Sequence, residues 1–210
     1  MIKVNSVNIG QKKQINQGGK SVTTGIFKLP VEHVIIGETG VNGDAVCDTR
    51  HHGGPDQAVY IYTQEDYQWW SEQLGKTIEP GTFGENLTLS ELPEICIGDR
   101  LLFPHVEFEV SAPRIPCATF AARMGDAKFA KRFISARRPG VYCRVVRGGK
   151  IRPGDMVEHQ HFAGDRISLK QLFVDSMRSL PTETLEHYLN LPIDIRTRNK
   201  FEQQLTKGKK

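Results

Sequence analysis

The apolar and polar positions along the chain fall into two regimes. Over roughly the first three quarters, short alternating runs predict strands. Ile2 and Val4 alternate before the phase shifts to Val7 and Ile9, a first strand over 2–9. Val31 and Val34 to Ile36 mark another, and Ala58 to Tyr62 a third by β-branched and aromatic content. Leu87 and Leu89 follow a glycine-punctuated turn, and Val106, Phe108 and Val110 alternate over 105–112. Ile97-Gly98-Asp99-Arg100 and Pro153-Gly154-Asp155-Met156 are similar Gly-Asp corners opening apolar strands, as in a barrel built from repeated turns. Gly148-Gly149 is read as a hairpin joining the strand at 141–147 to one at 155–159.

Helical spacing interrupts this pattern twice. Thr63 caps a helix with Asp66 three residues on, and Tyr67, Trp70 and Leu74, widened by Trp69, form a core-facing stripe. A second helix is expected over about 117–134, with Gly125 weakening its middle. From Asp165 the character is wholly helical. Ser168 with Gln171, Pro181-Thr182, and Pro192 with Asp194 open three short helices. The expected organisation is a β-rich domain over 1–163, a three-helix domain over 164–206 and a disordered tail at 207–210.

The chain has 210 residues, enough to bury a substantial core. It shows no membrane-spanning run and no secretory pattern at its start. Its four cysteines, at 47, 96, 117 and 143, have no CxxC or zinc-ribbon spacing, which points to free thiols in a cytoplasmic setting.

Net charge is +4, but unevenly placed: residues 114–147 carry nine Lys/Arg and one acid, Asp126, whereas residues 1–113 carry eight basic and fifteen acidic side chains. Within that basic segment lies Ser111-Ala-Pro-Arg114-Ile-Pro116-Cys117. The prolines hold it extended, and Pro116 suits a first helical position, which would place Cys117 in the first turn. Helix N–H groups and Arg114 would favour its thiolate, and a thiolate among arginines favours an anionic ligand. A buried, inert cysteine on a basic helix is the alternative.

Asp48-Thr-Arg50-His51-His52-Gly53-Gly54-Pro55-Asp56 sets charged and imidazole side chains beside two conformationally free glycines. A zinc site from Cys47, His51, His52 and His33 is only a fragment of a recognisable ligand pattern. Gly81-Thr-Phe-Gly84-Glu85-Asn86 is a turn suited to a heterocycle edge, or a plain turn before a strand. Gly18-Gly19-Lys20-Ser21 is half a P-loop, leaving Lys20 as a single phosphate contact. Residues 160–210 hold nine basic and six acidic side chains, too weak a footprint for nucleic acid.

Taken in order, Arg50 to Tyr60, Gly81 to Leu87, Pro113 to Cys117 and Arg137-Arg138-Pro-Gly-Val-Tyr142 resemble the MOSC family, named for the molybdenum cofactor sulfurase C-terminal domain, and its YiiM-type branch in particular. The resemblance implies a β-rich α+β fold, with a MOSC-type β-barrel core, flanking helices and a small C-terminal three-helix domain. It implies a pterin-based molybdenum cofactor with Cys117 as the metal ligand. It also implies reduction of N-hydroxylated compounds, N-hydroxylated purines such as hydroxylaminopurine among them, as detoxification. The cofactor would lie among Lys20, Thr24, Arg50, His51, Gly84, Glu85, Asn86, Arg114 and Arg138, with His51, His52 or Asp56 supplying protons. No iron–sulfur pattern is present, so electrons are expected from a separate reductase protein. A homodimer is compatible with this reading, and no membrane or nucleic-acid partner is expected. A non-redox carrier of the cofactor and a cysteine-nucleophile enzyme are the alternatives.

Overall fold

The computed structural model describes residues 1–50 and 52–208. In chain order its elements are β1 (Ile2–Gly10), β2 (Lys13–Gln17), β3 (Lys20–Thr24), β4 (Lys28–Val31), β5 (Val34–Gly37), β6 (Gly40–Val41), β7 (Val59–Thr63), α1 (Gln64–Leu74), β8 (Leu87–Leu89), β9 (Arg100–Leu102) and β10 (Glu107–Pro113). Then come α2 (Ala118–Met124), α3 (Phe129–Ala136), β11 (Val141–Arg147), β12 (Gly149–Ile151), β13 (Met156–Gln160), α4 (Leu169–Asp175), α5 (Thr182–Leu189) and α6 (Ile195–Gly208).

Strands β13, β9, β10, β11, β7, β8 and β1 pair in that order, and β1 closes the ring on β13 through Ile2 opposite Val157. Closure removes the free edges that an open sheet would expose. The phase shift in the first strand has a structural cause: the register of β1 on β8 slips between Val4 and Ser6, so Val4 and Val7 are both buried. Beyond the slip β1 also pairs with β4. β7 and β8 are parallel, which no tight turn can connect, and α1 makes the crossover. Thr63 caps α1 by accepting the Asp66 N–H at 3.0 Å.

The barrel interior is filled by Val4, Ile61, Leu101, Phe108 and Val110, and this core runs on into Leu172, Leu185, Tyr188 and Phe201 of the C-terminal helices. A second, aromatic cluster joins α1 to α2 and α3: Trp70, Phe83, Phe120, Phe129 and Phe133, with the Trp70 indole donating to the Tyr62 hydroxyl at 2.8 Å. The Tyr67–Trp70 stripe is therefore core, as its spacing indicates. No helix among the described residues is long and apolar enough to cross a membrane.

Three expectations are corrected. The helix over 117–134 is two helices, because Gly125 takes a left-handed conformation (φ 67°) that ends α2. Gly148-Gly149 does not join β11 to β13: β12 pairs with β5, freeing β13 to bridge β9 and β1 and complete the ring. α6 continues through Lys207 and Gly208, so these two tail residues are helical rather than disordered.

Candidate active-site cleft

A cleft of about 780 Å³, its mouth included, opens between the β2–β3 hairpin, the segment from Asp44 to Ala58 and the connection from β10 to α2. That size suits a cofactor or small-molecule site. Cys117, Arg114, His52, Tyr142 and Lys28 are on its wall.

Cys117 is the N-cap of α2 (φ −118°, ψ 171°), one position before the first turn in which the sequence reading set it. Pro116 precedes the cap and keeps the chain extended into it. The thiol is partly buried, which by itself would raise its pKa. A hydrogen bond from His52, the charge of Arg114 and the Phe120 N–H outweigh that and bring it down to about 7.

Arg114 is 4 % exposed. Its guanidinium is 4.2 Å from the Phe120 ring centroid and 4.9 Å from that of Tyr60, and one terminal nitrogen donates to the Phe83 carbonyl. Its Nε is buried with no hydrogen-bond partner. Burial alone would lower its pKa, but Tyr60, Tyr142 and Cys117 raise it. A buried charge without a counter-charge costs several kcal/mol; here the Cys117 thiolate supplies that counter-charge. Gly84, on the same wall, is required by its backbone: φ is 74°, and a Cβ there would stand 2.9 Å from Ile26.

The floor is polar. Lys28 and Asp44 form a buried ion pair, and Asp44 also accepts from the Gly10 N–H (2.8 Å) and the Asn86 amide (2.9 Å). Desolvation lowers the Lys28 pKa against the pull of Asp44. Asn86 lines the cleft, but its carbonyl accepts the Tyr60 N–H at 3.2 Å, so both ends of the amide are committed. Thr24 lines the cleft and accepts the Ile26 N–H at 3.1 Å.

The other expected site residues lie elsewhere. Glu85 is fully buried off the cleft wall, with one oxygen accepting from the Tyr67 hydroxyl, the Gly81 N–H and the Thr88 hydroxyl. Burial raises its pKa despite these bonds, and it braces the turn rather than meeting a ligand. Asp56 is held by Arg144 at 2.6 Å and by the Ile195 N–H at 2.6 Å, and does not line the cleft. That removes it as a proton donor. Arg138 pairs with Asp66 at 2.6 Å and stacks on Trp69, beside a different depression. Lys20 and Arg50 are exposed and off the wall. His51 lies outside the described residues.

The sequence reading missed Lys28, Asp44, Gln57, Tyr60 and Tyr142. Gln57 has a buried, unpartnered carbonyl oxygen, an acceptor available to a ligand. A lysine beside the apolar run Leu29-Pro30-Val31 was the one legible signal. Among the described residues the zinc fragment of Cys47, His52 and His33 does not converge. The group that does is Asp99, His159 and His161, where Arg166 donates to His161 at 2.9 Å and already balances the carboxylate.

A family model described as the MOSC domain matches residues 48–158. The chain is 35% identical over 156 residues to the uncharacterized protein YflK of Bacillus subtilis, covering 73% of this chain and 71% of that one. It is 34% identical over 160 residues to a protein named reductase from Gibberella moniliformis, covering 72% of this chain but 28% of that one. Among solved structures, YiiM from Geobacillus stearothermophilus aligns with a TM-score of 0.78 at 25% identity, over 98% of this chain and 100% of that one.

Proposed function

The chain belongs to the MOSC domain family, and from that premise we propose that it is a molybdenum-cofactor-dependent reductase of N-hydroxylated compounds, with N-hydroxylated purine bases as the substrate class. The observation that carries this reading is the Cys117 thiol, lowered to about 7 on the wall of a cofactor-sized cleft beside a buried arginine with no carboxylate partner among the described residues. The name of the Gibberella relative is consistent with it.

The residues fit the group. A soft thiolate suits a redox metal that exchanges oxygen. The orphaned Arg114 Nε and the Gln57 carbonyl offer a donor and an acceptor to a polar, anionic heterocycle. Cys117 would be the protein ligand, with Arg114, Thr24 and Gly84 lining its seat. When bound, the cofactor supplies two-electron oxygen-atom chemistry.

The chain's own residues do the rest. Arg114 holds Cys117 as a thiolate, ready to ligate. Of the three proton-carrying candidates His52 is the one that lines the cleft among the described residues, and its ring passes protons at the nitrogen facing Cys117. Tyr60, buried, and Tyr142, partly buried, keep bulk water from that wall. The net change is N–OH plus two electrons and two protons giving N–H and water, with the electrons from a separate reductase protein. Incubating cofactor-loaded protein with hydroxylaminopurine and a reductant should yield the amine; no amine from protein shown to hold molybdenum would refute the reaction.

A second reading has support in the same geometry. A thiolate hydrogen-bonded to a histidine is also a nucleophile's arrangement. Covalent labelling by an electrophilic substrate, with no molybdenum in active protein, would favour it.

A further inference from the structure

The C-terminal helices reach the cleft through one arginine. Asp194 caps α6, its carboxylate accepting the N–H groups of Arg196 (3.1 Å) and Thr197 (3.2 Å), while its own N–H donates to the Ser111 carbonyl on β10 at 3.1 Å. This seats the first turn of α6 against the barrel. From there both terminal nitrogens of Arg196 donate to the Gly53 carbonyl, each at 3.2 Å. On the other side of the same loop, Arg144 ties Asp56 to the carbonyls of Pro192 (2.8 Å) and Ile193 (2.9 Å).

The segment so gripped is a weak point of the chain. Gly53 and Gly54 have φ of 68° and 83°, two successive glycines of positive φ directly after His52. Such a pair has little preference of its own and must be fixed from outside. Among the described residues no other side chain donates to the Gly53 carbonyl.

We propose that Arg196 is a positioning residue for the cleft: its fork on the Gly53 carbonyl locks the two-glycine hinge and so holds the His52 ring against Cys117. The three C-terminal helices then complete the site rather than append to it. Arg114 and Tyr142 also face the sulfur, with Lys28, Asp44 and Asp48 further round the wall; the Arg196 charge also acts on Tyr142, an effect that a salt series separates from positioning. The inference rests on Cys117 and His52 being the working pair, but it does not need the metal.

The test uses metal-free protein and the rate of iodoacetamide alkylation at Cys117, read by peptide mass at one neutral pH. Arg196→Ala should slow it about three- to tenfold, the value of one typical lost hydrogen bond. Arg196→Lys, which keeps the charge but not the fork, should fall between. Arg198→Ala is the control, because Arg198 donates to the Leu189 (2.7 Å) and Leu191 (2.8 Å) carbonyls within the C-terminal helices; it should lower Tm and leave the rate unchanged. The Arg196→Ala deficit should persist at high salt, where a through-space charge effect would be screened. A wild-type rate in folded Arg196→Ala, an equal deficit in Arg198→Ala, or a deficit that vanishes in salt would each overturn the proposal. Should Arg196→Ala not fold, Arg196→Lys decides it, and a wild-type rate there overturns it. Because no molybdenum takes part, failure here leaves the reductase reading standing, and failure of that reading leaves this result intact.

Discussion

Arg114 and Cys117, three residues apart, face one cleft as a buried cation and a partly buried thiol, and no carboxylate answers the arginine's charge among the described residues. β10 ends at Pro113, and the extended link to α2 turns both side chains to the same wall. Each stabilises the other's charged form, and the buried Nε remains a donor without a partner.

The thiolate should be visible in pH dependence. Alkylation at Cys117 should rise through a midpoint near pH 7, where an ordinary thiol titrates near 8.5. A folded pKa below the unfolded one means the thiolate's contribution to stability is complete above about 8.5 and is lost as pH falls through about 7, on the order of 2 kcal/mol. Urea melts of wild type and Cys117→Ala between pH 6 and 9 check it: the wild-type advantage should grow with pH.

Arg114→Met keeps the apolar contacts with Phe120 and Tyr60 and deletes the charge. The Cys117 midpoint should move up by about one pH unit, a differential interaction of about 1.4 kcal/mol. Molybdenum retention should fall while far-UV circular dichroism stays native.

Lys28→Met leaves Asp44 buried without its cation. Breaking a buried pair from one side costs about 3–5 kcal/mol, and the Gly10 and Asn86 donors should hold the loss to the lower end. Chemical denaturation measures it. An unchanged midpoint would mean that water already reaches Asp44.

Glu85→Gln should act on the fold rather than on the ligand. Glutamine keeps one oxygen to accept the three hydrogen bonds and puts an NH2 where the buried Oε2 has no partner, and that unsatisfied donor should cost about 1–3 kcal/mol. Cofactor affinity per folded molecule should stay at the wild-type level, by titration against protein quantified after refolding.

The barrel strands were legible because one buried face imposes strict alternation, as at Phe108 and Val110, and because Thr63 with Asp66 is a local helix start. Cys117 was legible through its prolines and the neighbouring Arg114. Long-range pairing was not: nothing local in Gly148-Gly149 says that β13 must close on β1. Asp56 and Arg138 looked like free site charges because their partners, Arg144 and Asp66, are 88 and 72 residues away. Lys28 and Asp44, 16 residues apart, were missed because only the fold pairs them on the wall that also carries Cys117.

Molybdenum content, measured by elemental analysis on freshly purified wild type and Cys117→Ala, tests the central claim most directly. Wild type should carry near-stoichiometric molybdenum, and the folded variant should carry almost none. Equal molybdenum in both, or none in wild type expressed with ample cofactor, would contradict the account.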